Sequence, residues 1–291
     1  MGVILAKTAG FCFGVKKAVD LVYRTIEENP KGRKIYTYGP IIHNDEVIKE
    51  LEEKGVCAIE GREALRNLEK GSILIIRSHG VGEEIYDTAA QCGIKVLDAT
   101  CPFVKKIQDI VKEETLAGKH VAITGDKSHP EVIGICGWAK GPVTVIKDEE
   151  EAESFVLPSG TPLSIVSQTT FNLEKFQYMV EIINKKGYNE TVYNTICLAT
   201  RNRQAEAAEI SEKADVMIVA GDRKSSNTRK LYEICKSNCN DTYYIQTVKD
   251  LPDSASRPGI CVGITAGAST PDHIIQEVLD LCQMKWFSMT R

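Results

Sequence analysis

The sequence predicts an α/β fold made of three small α/β domains, and three observations lead there. Cys12, Cys101 and Cys197 stand 89 and 96 residues apart, the near-equal period that internal repeats leave. Each follows a short apolar run (Val3 to Ala6, Ile94 to Leu97, Thr191 to Ile196) and precedes a helix-like pattern, such as Val104 to Lys112 or Gln204 to Lys213. The third observation is a matching set of apolar runs that close on glycine. Val121 to Thr124 ends at Gly125 and Met217 to Ala220 at Gly221, both glycines 24 residues after their cysteine. Ile35 to Tyr38 ends at Gly39, 27 residues after Cys12. Runs of this kind read as buried parallel strands ending in a turn.

The elements then fall in order. Each cysteine is expected at a strand-to-helix junction, where unsatisfied backbone N–H groups point into a site. Just beyond the glycines come His43, His129 and Ser225-Ser226-Asn227. A second apolar run follows in every segment. Ile73 to Ile76 leads to Ser78-His79-Gly80, Leu163 to Val166 leads to Gln168-Thr169-Thr170, and Ile260 to Ile264 leads to Thr265 through Ser269. His79, Thr169 and Ser269 lie 67, 68 and 72 residues after their cysteines. Each segment thus offers one cysteine and two polar loops at strand C-terminal ends, where open α/β sheets bind ligands. The domains are expected at 13–100, 101–196 and 197–291. The leading strand 1–12 has no unit before it and is expected to complete the third sheet.

Composition narrows the function. The chain has 291 residues, 43% hydrophobic and 26% charged, as in an ordinary globular protein. With 36 Lys+Arg against 40 Asp+Glu the net charge is −4, which gives no basic surplus for nucleic acid. No segment reaches the ~18 uninterrupted apolar residues of a membrane span, and the apolar start is too short for a signal peptide. These features predict a cytoplasmic protein with no membrane partner. Ten cysteines without a single C-x-x-C exclude zinc ribbons and thioredoxin-type motifs. A reducing compartment argues against disulfides. Most of the ten, Cys235 and Cys239 on one helical turn among them, read as small buried hydrophobes.

Three convergent thiolates suit a soft metal centre. Zinc with a fourth, water ligand is one possibility. An iron–sulfur cluster is the other, and with three cysteines one iron lacks a protein ligand. Around such a centre, three histidines with Ser, Thr and Asn donors suit a diphosphate, which needs hydrogen-bond donors in a water-poor pocket. Glu131 has two competing readings. Ser128-His129-Pro130-Glu131 fits a capping box, and the same carboxyl could serve as a proton donor if its pKa were raised. Lys16, Lys17, Lys105, Lys106, Arg201 and Arg203 follow the cysteines and read first as solvated helix faces; a patch for an acidic electron donor is the alternative. His120 and His273 read as structural.

Several stretches resemble the 4-hydroxy-3-methylbut-2-enyl diphosphate reductase family (LytB/IspH). They are G-F-C-F-G-V-K-K-A-V at 10–19, R-S-H-G-V at 77–81, D-A-T-C-P-F-V at 98–104 and S-H-P-E-V at 128–132. S-Q-T-T at 167–170, T-I-C-L-A-T-R-N-R-Q at 195–204, S-S-N at 225–227 and G-I-T-A-G-A-S-T-P-D at 263–272 complete the set, in the family's order. The resemblance implies a pseudo-threefold, trefoil-like arrangement of the three domains around a central 4Fe-4S cluster. Cys12, Cys101 and Cys197 would be its three ligands, leaving one open iron. It further implies His43, His79, His129, Thr169, Ser225, Ser226, Asn227 and Ser269 as substrate-binding residues, with Glu131 as proton donor and Thr169 as its relay. The implied reaction is reductive dehydroxylation of an allylic diphosphate to isopentenyl and dimethylallyl diphosphate. Electrons would arrive from a separate ferredoxin or flavodoxin. No Walker A loop or G-x-G-x-x-G appears, so no bound nucleotide is expected. A zinc-dependent lyase or hydrolase of a phosphorylated metabolite and a non-enzymatic iron–sulfur carrier are the competing classes. A quinolinate-synthase-like enzyme shares the three-cysteine logic but would want more arginine in the loops.

Overall fold

The computed structural model describes residues 2–29, 32–252, 255 and 259–288. The chain opens with β1 (Val3–Leu5) and α1 (Phe13–Glu27). Next come β2 (Ile35–Tyr38), α2 (Asp45–Glu53), β3 (Val56–Ile59), α3 (Arg62–Arg66), β4 (Ile73–Ile76), α4 (Glu83–Gln91) and β5 (Lys95–Asp98). The cycle repeats through α5 (Pro102–Leu116), β6 (His120–Thr124), α6 (Pro130–Cys136), β7 (Val143–Ile146), α7 (Glu149–Ser154), β8 (Pro162–Ser167), α8 (Leu173–Asn184) and β9 (Asn189–Val192). It closes with α9 (Leu198–Ser211), β10 (Val216–Ala220), α10 (Ser226–Asn238), β11 (Thr242–Ile245), β12 (Val262–Ala266) and α11 (Asp272–Ser288).

Among the described residues the strands form three four-stranded sheets, all parallel, with the orders β3-β2-β4-β5, β7-β6-β8-β9 and β11-β10-β12-β1. Numbered within each repeat, all three read second-first-third-fourth. The fourth strand of the last sheet is the N-terminal β1, in register with β12 through Val3 and Val262. In the first two sheets the chain leaves the first and third strands toward opposite edges, and in the last sheet β11 and β1 flank β10 and β12 in the same order. The gap between the first and third strands is a topological switch point, where ligands bind on open α/β sheets. The polar loops predicted above follow those two strands, and each cysteine follows the fourth.

Central strands are apolar on both faces because helices cover both. β4 (Ile-Leu-Ile-Ile), β10 and β12 are buried at every position. Edge strands are not: β9 (Asn-Glu-Thr-Val) and β3 (Val-Cys-Ala-Ile) are largely exposed. The helices after Cys101 and Cys197 start earlier than their apolar pattern predicts, at Pro102 and Leu198, so each of these cysteines is itself the N-cap.

Packing groups the chain into two compact units. One comprises Met1–Val15, His43–Asp45 and Cys197–Arg291; the other comprises Lys16–Ile42 and Glu46–Ile196. In the first, alternation along β10 sorts the core. Met217 and Val219 pack with Ala207 and Ile210 of α9 and Leu231 and Cys235 of α10. Val216, Ile218 and Ala220 pack with Ile275, Val278 and Cys282 of α11. The second unit holds the other two sheets. Its α6 lies against the loop after β4, with Trp138 Nε1–H donating to the Val81 carbonyl at 2.8 Å. That approach requires glycine, since a Cβ on Gly137 would sit 2.6 Å from the Gly82 Cα.

Candidate active site

Glu131 lies at the start of α6 and is 2% exposed. The capping-box reading fails there. The N-cap is His129, whose Nδ1 accepts the Glu131 N–H at 3.1 Å. Pro130 takes the first helical position, which moves Glu131 to the second, and Ser128 turns its hydroxyl to Asp126 instead. The Glu131 carboxylate faces the loop after β8. Oε1 accepts the Thr169 N–H at 2.6 Å, and Oε2 lies 2.7 Å from Thr169 Oγ1. Burial pushes its pKa up to about 7, against the opposing pull of the two Thr169 hydrogen bonds. A carboxyl titrating near neutrality is matched to proton transfer.

His129 also meets His79 from the loop after β4, edge to face with ring centroids 5.4 Å apart. With Nδ1 accepting, the neutral His129 ring carries its proton on Nε2, which makes that nitrogen a donor. Cys101 joins the same neighbourhood, its N–H donating to the Ser78 carbonyl at 3.0 Å. The second unit therefore brings Cys101, His79, His129, Glu131 and Thr169 together around the switch points of its two sheets.

The first unit assembles a complementary set. Ser225 caps α10, its Oγ accepting the Thr228 N–H at 3.3 Å, and Ser226 opens the helix. Asn227, 4% exposed, accepts the Ala268 N–H through Oδ1 at 3.1 Å, which leaves its amide N–H groups as donors. The Cys12 N–H donates to the Ala268 carbonyl at 3.2 Å. Next in the chain, Ser269 is 6% exposed, and its buried hydroxyl has no hydrogen-bond partner among the described residues. Such a hydroxyl is able to bond a bound polar group. His43 lies in the β2–α2 loop, and Lys224, beside Ser225, pairs with Asp45 of that loop at 3.1 Å.

Cys12, Cys101 and Cys197 are partly exposed at helix starts, whereas Cys235, Cys239 and Cys282 lie in the core. The reading of the other seven cysteines as buried hydrophobes holds for three of them; Cys57 is exposed on an edge strand, and Cys92, Cys136 and Cys261 are partly exposed. The Cys197 Sγ accepts the Thr200 N–H at 3.3 Å. Burial, with Cys239 adding to it, pushes the Cys235 thiol up to about 12, as befits a packing residue. His120 is structural too, bonded to Thr144 at 2.8 Å and packed on Phe155.

Arg203 overturns its solvated-face reading. It is 3% exposed and donates from Nη1 to the Ala266 carbonyl at 2.7 Å and from Nη2 to the Gly10 carbonyl at 2.9 Å. The buried stripe of α9 runs Thr200, Arg203, Gln204, Ala207, Ile210, Ser211. That three-to-four spacing was the available signal. Lys16, Lys17, Lys105, Lys106 and Arg201 are exposed, as expected.

This arrangement has known counterparts. The LytB protein family matches residues 3–283. The 4-hydroxy-3-methylbut-2-enyl diphosphate reductase of Caldanaerobacter subterraneus subsp. tengcongensis is 45% identical over 280 residues, covering 96% of each chain. That of a Thermoanaerobacter species is 46% identical over 279 residues, again 96% of each chain. A solved structure of (E)-4-hydroxy-3-methyl-but-2-enyl diphosphate reductase, described as the terminal enzyme of the non-mevalonate pathway, is 40% identical. It matches with a TM-score of 0.69 over 98% of this chain and 100% of that one. The E-1-hydroxy-2-methyl-but-2-enyl-4-diphosphate reductase of Plasmodium falciparum is 30% identical, with a TM-score of 0.89 over 96% of this chain and 87% of that one. With the motifs, the sheets and near-complete coverage all in agreement, the chain belongs to the LytB family.

Proposed function

We infer that the protein catalyses reductive dehydroxylation of (E)-4-hydroxy-3-methylbut-2-enyl diphosphate to isopentenyl and dimethylallyl diphosphate. The observation that carries this is Glu131. A buried carboxyl hydrogen-bonded twice to Thr169 and titrating near 7 is a proton source held out of water. Replacing a C–OH by C–H consumes two electrons and two protons and releases water, so the site must deliver protons where bulk water is excluded. Glu131 protonates the departing hydroxyl, and Thr169 Oγ1, 2.7 Å from Oε2, relays or orients that proton. The second proton enters at either end of the allylic system, which yields the two products.

Cys12, Cys101 and Cys197 are the residues to hold a 4Fe-4S cluster through three thiolates. Their thiol chemistry, partial exposure and shared place at a helix start after the fourth strand of each sheet fit that group. When bound, such a cluster supplies single electrons and an iron open to substrate oxygen. His43, His79, His129, Ser225, Ser226, Asn227 and Ser269 clamp the diphosphate, with the orphaned Ser269 hydroxyl as the most direct support. Electrons come from a separate small carrier of the ferredoxin or flavodoxin class. A 380 Å³ hollow lined by Lys17, Lys105 and Lys106 together with Asp98 and Asp109, Lys105 being paired with Asp98 at 3.1 Å, offers it a surface of mixed charge with a small cationic excess. The domain limits 13–100, 101–196 and 197–291 with strand 1–12 are supported by the strand order shared by the three sheets.

The test is anaerobic turnover of the hydroxylated diphosphate with a chemical reductant, products being separated and counted. Formation of both isomers by the wild type and loss in Glu131→Gln supports the reading. A colourless zinc protein, or a cluster whose spectrum ignores the diphosphate, overturns it.

A further inference from the structure

Arg203 is a buried cation with no carboxylate partner of its own. Among the described residues it forms no ion pair within 4.0 Å, and its Nε is buried without a hydrogen-bond partner. Burial is the strongest influence on it and lowers its pKa; the groups that favour its charge are Cys12, then Cys197, then Glu206. The Glu206 carboxylate is already engaged by the Lys7 N–H and by the Thr8 N–H and hydroxyl. A guanidinium stays charged across the accessible pH range, and a buried charge without a counter-ion is costly. Two sulfurs far apart in the chain thus lead the groups that favour its charge.

The same guanidinium closes a clamp. Nη2 holds the Gly10 carbonyl, two residues before Cys12, and Nη1 holds the Ala266 carbonyl, three residues before Ser269. Gly10 has φ +94°, and a Cβ there would meet the Asp272 carboxylate at 2.9 Å and Ile275 at 3.1 Å, so the turn before Cys12 is already tightly constrained. The Cys12 N–H reaches Ala268, and the Ala268 N–H reaches Asn227. One side chain on the helix after Cys197 therefore ties the Cys12 turn to the strand end that leads into the loop carrying Ser269, a loop that Asn227 of α10 also holds.

We propose that Arg203 is a positioning residue that sets the Cys12 turn against the Ser269 loop and offsets the negative charge gained when the thiolate-bound cluster takes up an electron. This rests on the proposed function. The electron would come from an external one-electron donor, and each uptake would add one negative charge to a cluster held in part by Cys12 and Cys197, the sulfurs that favour the guanidinium's charge. A fixed positive charge there favours the reduced form. A tenfold weaker reduction equilibrium on its removal corresponds to 59 mV for a one-electron couple.

The experiment is an EPR-monitored potentiometric titration of anaerobically prepared wild type, Arg203→Met and Arg203→Lys. The expected result is a midpoint potential at least 59 mV lower in Arg203→Met, a tenfold shift, and close to wild type in Arg203→Lys. An unchanged potential in a fully loaded Arg203→Met, or an equal fall in Arg203→Lys, overturns the charge role. Amide hydrogen exchange on the full chain without cluster reads the clamp independently of loading. Faster exchange at Cys12 in Arg203→Met supports it, and unchanged exchange overturns it. A wild type that carries no iron–sulfur signal overturns the proposed function instead, so the two failures are distinguishable.

Discussion

Glu131→Gln preserves the shape of the side chain and removes its titration. The wild-type carboxyl moves from an ordinary 4.5 to about 7 in the folded chain because burial disfavours the carboxylate. At 1.36 kcal/mol per pH unit of displacement, that corresponds to roughly 3 kcal/mol. The sign follows from the direction. A folded-state pKa above the unfolded one means that the fold prefers the protonated form. The stabilisation is complete below pH 4.5 and is lost as the pH rises through about 7. Urea unfolding of both full chains at intervals between pH 5 and 8 measures it. Wild-type stability should fall relative to Glu131→Gln by roughly 2–3 kcal/mol over that window. The variant should also lose turnover by about 10²–10⁴-fold, the usual contribution of a positioned proton donor. Parallel stability curves would refute the raised pKa and, with it, the reason for assigning Glu131 the proton.

Further predictions follow from the neighbouring geometry. In wild type, kcat should decline above about pH 7 as Glu131 ionises, and a pH–rate profile extended to pH 9 without such a limb contradicts the assignment. Ser269→Ala removes a buried hydroxyl that has no partner among the described residues. The ligand-free chain should be no less stable, while KM rises about tenfold, the value of one hydrogen bond near 1.4 kcal/mol. Gly137→Ala forces a Cβ to 2.6 Å from the Gly82 Cα. It should cost about 1–3 kcal/mol of stability by overpacking, read by denaturant midpoint.

Much of this architecture is legible in the residues. The central strands β2, β4, β6, β8, β10 and β12 announce themselves because parallel strands buried on both faces must be continuously apolar. The edge strands β3, β7 and β11 go unread for a different reason. Val-Cys-Ala-Ile, Val-Thr-Val-Ile and Thr-Tyr-Tyr-Ile are strand-like runs of only four residues, and none leads into a loop of candidate site residues that would mark it. The cysteines and the strand-end donors are visible as a repeating pattern. What Glu131 does is not, because a carboxyl after Ser-His-Pro can cap its own helix or turn away from it. Pro130 at the first helical position and the His129 ring as cap decide the matter, and both depend on backbone geometry. Arg203 shows the limit of charge as a guide. A cation on a helix is normally solvated, and only its place on the Thr200–Ala207–Ile210 stripe points inward.

The proposed metal centre draws on three sulfurs far apart in the chain. Iron and acid-labile sulfide, counted per chain after anaerobic purification of Cys→Ser variants, test it most directly. The account predicts about four irons in wild type, as a 4Fe-4S cluster requires, with the same content in Cys235→Ser and near-complete loss in each of Cys12→Ser, Cys101→Ser and Cys197→Ser. Retention of the full complement in any one of those three would contradict it.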